Sequence, residues 1–504
     1  MKVLLLSPPV TLAKDKGYPL YPPIGLAAVA ALLVEAGHEI EIVDCYVEGI
    51  KNVFSLGNCK RIGLSEKTIA NRILAFGPAL IGIGCNFTDF RADAFKLARV
   101  CKETLPGIPV ILGGAHGTMY PKDSIENENV DVVVRGEGEK TMLEICERYS
   151  QGKSISNVAG TVVKQNGGII FNPLRQLITN LDGLPMPSYR HLRMDLYLRN
   201  QKDIYPFARG KRVGFVVSSR GCPYNCIFCS SKQLGGKYRE KTPTNVVNEI
   251  EFLVKKYSVN EIAFQDDCFN FNNKRVEMIC DEIINRKLNV FLSFPVGLSV
   301  RNLTKEMVLK LKEAGTYRIC FPIETGCLKT QTFIRKKINL EQLKELIAFS
   351  NGLGLWTYGN FIIGFPYETI EDIKGTMSYA FESDLDMISL YIAQPMYGTD
   401  MYKIYEKEGL LKEGTMNKVD NFNTRYDTVH FTAAQLNKMR ESYLSDYLRM
   451  RICSIFTVRG MQKFVRKINS PKKLIYFIRV VLHLFRVTIR NKRLSYFFHS
   501  KSQT

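Results

Sequence analysis

Three cysteines in one short segment are the residues of this chain best suited to chemistry. Cys222, Cys226 and Cys229 lie in the segment SSRGCPYNCIFCS, at the spacing C-x3-C-x2-C. Three neighbouring thiolates can hold a metal ion or an iron–sulfur cluster. They supply one ligand fewer than a closed four-cysteine site needs, and an open coordination position is where a metal centre binds a reactant. The spacing therefore predicts a metal centre that takes part in catalysis.

Two other interpretations of these cysteines are open but less favoured. A structural zinc site normally adds a second Cys pair or a His pair, and neither lies nearby in the sequence. Three unrelated core cysteines are the other alternative, because a free Cys often serves as a small apolar core residue. Gly221, Pro223 and Asn225 are loop formers, so the segment is a poor candidate for packed core.

The cysteine segment follows an apolar run, Val213–Val217, as a loop at the C-terminal end of a barrel strand would. With Phe228 as the aromatic residue of C-x3-C-x-aromatic-C, it resembles the cluster loop of radical S-adenosylmethionine (radical SAM) enzymes. The resemblance implies that the three cysteines hold a [4Fe–4S] cluster whose fourth iron binds SAM. It also implies an external electron donor of the flavodoxin or ferredoxin type and cleavage of SAM to a 5′-deoxyadenosyl radical.

Residues 211–400 alternate between strand and helix patterns around this loop. Between the strands lie helical patterns such as Asn245–Tyr257, in which Val246, Ile250 and Leu253 share one apolar face. Six strands with intervening helices predict a partial (β/α)6 TIM-like barrel with active groups at the C-terminal strand ends. The strand candidates are Val213–Val217, Ile262–Gln265, Val290–Phe294, Tyr317–Phe321, Trp356–Ile363 and Met387–Ile392.

Polar and glycine residues follow several of these strands, where charged side chains make poor core residues. The resemblance implies a SAM pocket with residues 265–267 at the amino group, Ser299 and Glu324 at the ribose or methionine end, and residues 361–366 at the adenine. Residues 265–267 depart from the family's common G-G-E sequence, and a helix-capping role stays open for Ser299. The expected SAM-binding residues are Phe228, Gln265, Asp266, Asp267, Ser299, Arg301, Glu324, Gly359, Ile363 and Gly364.

Residues 1–150 predict a doubly wound parallel sheet, because short apolar runs alternate with helical patterns. Such sheets bind ligands at the C-terminal ends of their strands. No G-x-G-x-x-G follows the first strand, which disfavours a dinucleotide. The strand candidates are Val3–Leu6, Ile40–Val43, Leu80–Ile83, Val110–Leu112 and Val132–Val134.

Three segments, PPIGLAAVAALLVEAGHEIEIVD, GGAHGTMYP and VVVRGEGE, resemble the Rossmann-like cobalamin-binding domain that precedes the radical SAM domain in one large group. The D-x-H-x-x-G motif of many cobalamin domains is missing, since Cys45 and Tyr46 follow Asp44. His116 is a weaker candidate, because a loop histidine is more often hydrogen-bonded or solvent-facing. A sheet retained only for packing is the alternative. The cobalamin contacts that the resemblance implies are Pro8, Pro9, Gly84, Gly113, Gly114, His116, Gly136, Glu137, Gly138 and Glu139.

Residues 151–210 predict a hairpin and a linker. Asn166 and Gly167 form a strong hairpin signal between two apolar runs, and two prolines in the polar stretch LDGLPMPSYRHL are typical of an interdomain linker.

Composition indicates a globular, cytoplasmic protein. Of the residues 45% are hydrophobic and 23% charged, and the thirteen cysteines show no disulfide spacing, which favours a reducing compartment. The start MKVLLLSPPV is expected to be a buried strand and not a secretion signal, and no uncharged apolar run has the length of a membrane span.

Residues 401–504 predict a helical, strongly basic region. From Arg449 onward the chain has 14 Lys or Arg and no Asp or Glu, so +20 less 14 leaves only +6 for the first 448 residues. In Leu474–Ile489 a basic face, Arg479, His483, Arg486 and Arg490, opposes an apolar one.

This pattern favours peripheral contact with the inner face of an anionic membrane, to which Lys472, Lys473, Lys492 and Arg493 would add. It also favours a small, apolar or lipid-like substrate. Nucleic acid is the less favoured partner. The other alternative is a helix that packs its apolar face on the barrel and leaves its basic face in solvent.

The resemblance implies an enzyme that uses cobalamin to methylate an unactivated carbon. Two alternatives stay open: a cobalamin-dependent radical cyclase or oxidase, and a cobalamin- or metal-binding sensor without turnover. A tRNA methylthiotransferase is disfavoured, because the cysteines of residues 1–150 do not match the motifs of its additional cluster. The residues expected to be catalytic are Cys222, Cys226 and Cys229.

Overall fold

The computed structural model describes residues 1–14, 16–18, 20–201, 207–411 and 423–490. These residues form two compact units. The first unit comprises Met1–Ile204 with Gln233–Lys241, and the second comprises Tyr205–Lys232 with Thr242–Thr504.

The described residues up to 201 form ten strands and eight helices. The strands are β1 (Lys2–Ser7), β2 (Val10–Ala13), β3 (Glu39–Asp44), β4 (Val53–Leu56), β5 (Cys59–Ile62), β6 (Leu80–Gly84), β7 (Val110–Gly113), β8 (Val132–Val134), β9 (Thr161–Gln165) and β10 (Gly168–Phe171). The helices are α1 (Ile24–Glu35), α2 (Cys45–Glu48), α3 (Glu66–Phe76), α4 (Arg91–Thr104), α5 (Ala115–Met119), α6 (Pro121–Glu126), α7 (Gly138–Ser150) and α8 (Met194–Asn200).

The first unit is built on a seven-stranded sheet in the order β10-β9-β8-β7-β6-β1-β3. Strands β3, β1, β6, β7 and β8 are parallel, as the sequence predicts. Their side chains are buried on both faces, which explains why the strands are continuous apolar runs.

The predicted hairpin at Asn166 and Gly167 is present as β9–β10, and it belongs to this sheet. Strand β9 pairs antiparallel with β8, with Val162 opposite Val133. The cause is apolar burial, since Thr161, Val162 and Val163 are at most 3% exposed. The sequence predicts the hairpin but not its pairing with β8.

From residue 205 onward the strands are β11 (Val213–Val216), β12 (Ser219–Arg220), β13 (Arg239–Glu240), β14 (Glu261–Phe264), β15 (Phe291–Ser293), β16 (Arg318–Glu324), β17 (Trp356–Ile363) and β18 (Met387–Ile392). The helices are α9 (Ser231–Gly235), α10 (Pro243–Tyr257), α11 (Asn273–Asn285), α12 (Lys305–Glu313), α13 (Leu328–Phe333), α14 (Leu340–Gly352), α15 (Ile370–Glu382), α16 (Asp400–Lys407), α17 (Ala433–Ile455), α18 (Val458–Lys467) and α19 (Pro471–Arg490).

All six strands predicted in the second unit are present, and they form two parallel sheets, β11-β14-β15 and β16-β17-β18. Among the described residues, an isolated bridge pairs Leu292 of β15 with Thr316, which precedes β16. Parallel strands of one sheet end at the same edge, so the loops after β11 and β14 share an edge, and the loop after β16 lies at the C-terminal edge of the second sheet. The sequence predicts active groups in these three loops.

The C-terminal helices pack inside the second unit. Helix α17 lies along β18, where Arg440 donates to the Leu390 carbonyl, and its Tyr447 hydroxyl donates a hydrogen bond to the Leu385 carbonyl at 2.7 Å. Lys467 of α18 pairs with Asp386, just before β18. Lys467, one of the basic residues of this region, is thus paired within the protein.

Helix α19 packs both apolar side chains and Arg479 against the second unit. Tyr476 and Val480 are each 8% exposed and cluster with Tyr317, and Arg479 donates a hydrogen bond to the Ala208 carbonyl. The inward apolar residues agree with the alternative in which the helix packs on the barrel, but Arg479 is not left in solvent as that alternative expects. The side chains of His483, Arg486 and Arg490, and all of Lys492 and Arg493, lie outside the described residues. In the part of the chain that the structure describes, no helix combines the length and apolarity that crossing a membrane requires.

Candidate active site

The cysteine loop follows β11, and its three thiols are neither exposed nor fully buried. Gly221, with φ of 77°, adopts a left-handed conformation that turns the chain into the loop. The Cys229 amide donates to the Cys226 carbonyl at 3.2 Å, which closes a turn between two of the three thiols.

Two apolar residues between the cysteines anchor the loop to the second unit. Ile227 is buried in a cluster with Phe365 and Met401, and its amide and carbonyl bond to Ile334 and Met401. Phe228 packs against this cluster, with its ring centroid 5.6 Å from that of Phe365. The aromatic residue of the motif thus positions the thiols through packing.

Asp266 fastens the start of the loop. Its carboxylate is 2% exposed and accepts hydrogen bonds from the Ser218 amide and the hydroxyls of Ser218 and Ser219. Burial raises the pKa of Asp266, and these hydrogen bonds oppose the shift. Arg275 donates to the Ser218 carbonyl at 2.8 Å. Asp266 is predicted as a SAM contact, but its described partners are the residues that position the loop.

The three thiols are electrostatically coupled to one another and to a half-buried lysine. Burial, with a smaller contribution from the neighbouring thiols, raises the pKa of Cys226 to about 11, although Lys336 opposes the shift. A hydrogen bond with Cys268 lowers the pKa of Cys222. Cys268 is a fourth thiol beside the loop, which the sequence does not single out because it belongs to no cysteine motif.

The donor set fits an iron–sulfur cluster, since three thiols of one loop lie beside a cation that would favour their anionic form. Among the residues that the structure describes, no three His, Cys, Asp or Glu side chains already surround one metal position. The structure therefore places the predicted ligands in one loop without showing cluster geometry.

Glu324 and Lys336 form an ion pair beside this loop. Lys336 Nζ lies 2.9 Å from Glu324 Oε1, and the two side chains are 17% and 11% exposed. Burial lowers the pKa of Lys336, but Glu324 and the thiols of Cys226 and Cys229 raise it to a net upward shift. Glu324 has φ of 68°, a conformation that costs energy for a long side chain and is typical of functional sites.

Ser299 and Arg301 link the cysteine loop to the Lys336 segment. The Ser299 hydroxyl donates to the Tyr224 hydroxyl at 3.1 Å, and the Arg301 guanidinium lies 4.5 Å from the centre of the Tyr224 ring. Arg301 also donates to the carbonyls of Arg335 and Lys336. The structure thus brings Ser299, Arg301 and Glu324 near the cysteine loop, with Lys336 as the residue that the sequence does not reveal.

Strand β17 contains two predicted SAM residues that serve the core. A Cβ at Gly359 would lie 2.5 Å from the Leu385 side chain, so this glycine makes room for Leu385. Ile363 is fully buried on the same face of the strand as Gly359. In this structure the space beside Gly359 is therefore occupied by Leu385.

Gly364 ends the strand with φ of 80°, and Glu368 holds the turn that follows. The buried Glu368 carboxylate accepts from the amides of Gly364 at 2.7 Å and Phe365 at 3.1 Å. Burial raises the pKa of Glu368 to about 8. The only sequence signal for this role is an acidic residue four positions after a glycine at a strand end.

The other face of the β16-β17-β18 sheet is polar and partly open. Along β17, buried residues alternate with half-buried ones that include Tyr358 and Asn360, and Ser389 and Tyr391 of β18 are also half-buried. The Tyr358 and Ser389 hydroxyls are hydrogen-bonded to each other. Asn360 Oδ1, and likewise Gln265 Nε2 at the end of β14, is buried without a hydrogen-bond partner among the described residues. Such atoms fit a ligand that completes their hydrogen bonds.

In the first unit, the glycine-rich loops lie at the C-terminal ends of the parallel strands, as predicted. Gly114 has φ of 101°, and a Cβ there would lie 2.6 Å from the Cys85 carbonyl oxygen. Gly136 has φ of 76° and no atom within 4 Å of its Cβ position. Pro8 and Pro9 follow β1, while Gly84 and Gly113 end β6 and β7. An edge with so few side chains fits a broad, flat ligand.

Glu137 and Glu139, predicted as cobalamin contacts, are tied into the first unit. Both Glu137 carboxylate oxygens lie within 2.9 Å of Arg239 Nη1, and one accepts from the Ile178 amide at 2.7 Å. Gly138 begins α7, and Glu139 is 5% exposed in its first turn. Glu137 is therefore a residue that holds the loop in place.

His116 lies on α5 and is completely buried, so neither its loop position nor its solvent-facing alternative is correct. Its Nε2 is 3.2 Å from Asp123 Oδ2, and its Nδ1 is 3.4 Å from the Thr88 hydroxyl. The interaction with His116 lowers the pKa of Asp123. Both ring nitrogens thus lie within 3.4 Å of a polar atom of the unit, although the contact of Nε2 with Asp123 does not have hydrogen-bond geometry.

Asp44, at the start of the missing motif, caps α2. It accepts from the amides of Tyr46 and Val47 and from the Tyr197 hydroxyl. Burial raises the pKa of Asp44 to about 6. The Tyr46 hydroxyl donates to the Tyr18 carbonyl at 2.8 Å.

Family comparisons agree with both parts of the architecture. Residues 11–146 match the model of the B12 binding domain, and residues 216–380 match that of the radical SAM superfamily. An uncharacterized methyltransferase of Pyrococcus horikoshii is 33% identical over 90% of this chain and 94% of its own length. The chain belongs to the cobalamin-dependent radical SAM methyltransferases. The cofactors of this family are a [4Fe–4S] cluster, SAM and cobalamin.

Other relatives of this radical SAM family are more distant. The cytidylyl-2-hydroxyethylphosphonate methyltransferase of Streptomyces wedmorensis is 29% identical, over 81% of this chain and 82% of its own. The anaerobic magnesium-protoporphyrin IX monomethyl ester cyclase of Rubrivivax gelatinosus is 28% identical, over 76% and 66%.

Solved structures share the fold. The methyltransferase TsrM from Kitasatospora setae, with cobalamin and a [4Fe–4S] cluster bound, matches with a TM-score of 0.65 at 18% identity, over 82% of this chain and 76% of its own. The cobalamin-dependent enzyme OxsB, with aqua-cobalamin and S-adenosylmethionine bound, matches with a TM-score of 0.66 at 17% identity, over 96% and 72%.

Proposed function

We propose that this protein transfers a methyl group to an unactivated carbon of a lipid-like substrate, with SAM cleaved at the cysteine loop. The observation that carries the proposal is the grouping of three thiols with the Glu324–Lys336 ion pair at the C-terminal end of the strands. A cluster, a SAM sulfonium and its methionyl zwitterion need cations and anions in one place, and this arrangement supplies them. The six strands would form the partial (β/α)6 barrel that the sequence predicts.

In this proposal Cys222, Cys226 and Cys229 hold the [4Fe–4S] cluster, which supplies one electron to SAM when it is loaded and reduced. Ile227 and Phe228 keep the thiols in place by packing, and Asp266 fixes the start of the loop. Glu324 and Lys336 bind and orient the charged end of SAM. Fixed groups of this kind act by holding the reacting atoms in place and by excluding water.

The substrate proposal combines the polar face of the β16-β17-β18 sheet with the apolar character expected from the C-terminal region. Tyr358, Asn360 and Ser389 offer hydrogen-bonding groups to a polar portion of the substrate. An amphiphilic molecule, polar at one end and apolar along its length, would match both the polar sheet face and the expected apolar character. We further propose that the protein contacts the inner face of a membrane and takes electrons from a flavodoxin or ferredoxin.

Cobalamin in this proposal is held by the glycine-rich edge of the first unit, near Pro8, Gly84, Gly114 and Gly136. The lower axial position is not expected to come from His116, since Asp123 and Thr88 lie beside its two nitrogens.

A radical cyclase is the second candidate, because a magnesium-protoporphyrin cyclase is among the relatives. The test is anaerobic reconstitution with iron, sulfide and hydroxocobalamin, followed by reductant, SAM and lipid extract, with products identified by mass spectrometry. We expect 5′-deoxyadenosine and S-adenosylhomocysteine, both lost in Cys226→Ala. Deoxyadenosine without S-adenosylhomocysteine would favour the cyclase, and neither product from protein with a full cluster would favour a sensor.

A further inference from the structure

Each of the three C-terminal helices leaves a stripe of large apolar side chains exposed. The stripes repeat every three or four residues, so each lies along one side of its helix. At the end of α17 the exposures are 43, 51 and 81%, on α18 they are 78, 47 and 53%, and on α19 they are 66, 46 and 50%. We call these nine side chains the outer C-terminal face: Leu448, Ile452, Phe456; Val458, Met461, Val465; Ile475, Ile478, Leu482.

The opposite sides of the same helices are fixed by contacts within the unit. Tyr447 of α17 bonds to Leu385, Lys467 of α18 bonds to Asn351 at 2.7 Å, and Tyr476 of α19 bonds to the Phe207 carbonyl at 2.9 Å. Phe464 and Phe477 pack together with ring centroids 4.7 Å apart, which joins α18 to α19. The outer face is therefore held outward by specific polar contacts, and so much exposed apolar surface marks an interaction site.

The charge of this region selects the partner. No Asp or Glu follows Asp446 in the chain, while Arg466 and Lys472 are exposed on α18 and α19. A second copy of the chain would bring like charges together, and nucleic acid would leave the apolar stripes unburied. An anionic lipid surface matches both the apolar stripes and the positive charge, because apolar side chains enter the acyl boundary and cations contact the headgroups.

We propose that the outer C-terminal face docks the protein on an anionic membrane surface. The inference rests on the peripheral contact in the proposed function and deepens it by naming the inserting residues. Ile475 and Ile478 meet the lipid, whereas Arg479, which the sequence places on the membrane-contacting basic face, stays bonded to Ala208.

The test is flotation of the full chain with phosphatidylcholine vesicles, with or without phosphatidylglycerol, in the absence of SAM. The triple variant Phe456→Ser, Met461→Ser, Ile478→Ser should lower partitioning by at least roughly tenfold, because much less apolar area enters the lipid. The control is Met278→Ser with Leu309→Ser, which removes side chains 48% and 40% exposed on α11 and α12. It should bind as the wild type does.

A charge variant separates the two contributions. Arg466→Gln with Lys472→Gln should weaken binding to the phosphatidylglycerol vesicles by roughly tenfold or more, and added salt should reduce the difference. Binding to pure phosphatidylcholine should not change.

Four results would overturn the proposal. These are no binding of the full chain to anionic vesicles, equal binding of the triple variant and its control, binding that appears only after removal of residues 491–504, and loss of a dimer in light scattering as the triple variant's sole effect. None of these measurements involves SAM, so their failure and a failure of methyl transfer are distinguishable.

Discussion

Two lysine–carboxylate pairs, one half-buried and one fully buried at its lysine, lie at opposite ends of the strands in the second unit. At the C-terminal ends Lys336 pairs with Glu324, and at the N-terminal ends Lys467 pairs with Asp386. Lys467 is only 1% exposed in its side chain, also bonds to Asn351, and lies 5.2 Å from the centre of the Trp356 ring. Burial lowers the pKa of Lys467 to about 8, whereas the pKa of Lys336 is raised.

The difference lies in what surrounds each pair. The Lys467 pair is enclosed by fixed partners, so it contributes to stability and to the docking of α18. The Lys336 pair borders three thiols, and Glu324, Arg335 and Lys337 around it are left-handed, with φ of 68°, 61° and 49°. Backbone strain beside a partly accessible charge pair is the pattern of a site that acts on a ligand. A lysine–carboxylate pair therefore stabilises the fold at the N-terminal ends of the strands, and a second such pair serves the proposed chemistry at the C-terminal ends.

The largest expected effect is on SAM binding. Lys336→Met should weaken SAM binding and turnover by roughly 100-fold, the usual loss when a preorganised charge is removed from an active site. The measurement is SAM affinity from the cluster's electron paramagnetic resonance signal, together with 5′-deoxyadenosine formation.

The adjacent Lys337→Met is the control, because Lys337 is exposed and also left-handed. Equal losses in the two variants would mean that the segment's conformation matters and the charge of Lys336 does not.

The second prediction concerns the other pair. Lys467→Ala should lower the free energy of unfolding by roughly 2 kcal/mol, because Asp386 loses one charged hydrogen-bond partner but keeps Lys463, 3.1 Å from its other oxygen. Chemical denaturation measures this. SAM affinity should stay within a factor of about two, since the pair is at the far ends of the strands.

In Lys467→Met the stem still packs on Trp356, so this variant should lose less stability than Lys467→Ala. A large loss of SAM affinity in either variant, with the protein still folded, would remove the distinction between the two pairs.

The third prediction is a pH dependence at the C-terminal ends. Burial raises the pKa of Glu368 from 4.5 to about 8, so the folded protein keeps a proton that the unfolded chain releases. The stabilisation is complete below about pH 4.5 and is lost as the pH rises through 8. Between these values stability should fall by up to roughly 1.4 kcal/mol per pH unit.

Glu368→Gln keeps an oxygen for the amides of Gly364 and Phe365 but cannot ionise. Its unfolding free energy should therefore vary less between pH 5 and pH 8 than that of the wild type. Parallel pH profiles of the two proteins would show that Glu368 is not the source of the slope.

The smallest expected effect is at Cys268. Cys268→Ser should leave the iron and sulfide content of the reconstituted protein unchanged, whereas Cys222→Ser should lower it strongly. Cys222 and Cys268 are hydrogen-bonded neighbours, so a comparison of the two variants distinguishes a cluster ligand from a thiol that only lies beside the cluster. Loss of iron in Cys268→Ser would make it a fourth ligand.

Much of this architecture was accessible from local sequence. All five parallel strands of the first unit and all six of the second lie within a few residues of the apolar runs that predict them, because a strand buried on both faces must be apolar along its length. The hairpin at Asn166–Gly167 was also predictable, since its turn chemistry is local. Its membership of the sheet was not, because pairing with β8 depends on a distant strand.

Contacts between distant residues were not accessible in this way. Lys336 occurs in a polar segment that by sequence alone is a solvated loop, more than a hundred residues from the cysteines it faces. Gly359 is a small residue inside β17, and Ile363 is the apolar residue that ends it. Only burial and the packing of Leu385 show that both face the core. The direction of α19 was equally hidden, since both of its sides contain apolar residues.

The sequence by itself determined the element order, the three-cysteine loop and the resemblance that led to cluster, SAM and cobalamin, because these depend on residue type and spacing along the chain. The tertiary structure alone decided which charges are neighbours. In the tertiary structure Asp266 and Glu137 hold loops in place, and His116 is buried beside Asp123. Lys336 and Lys467 lie at opposite ends of the strands. Burial and electrostatic coupling depend on distances in space, and a linear pattern does not contain them.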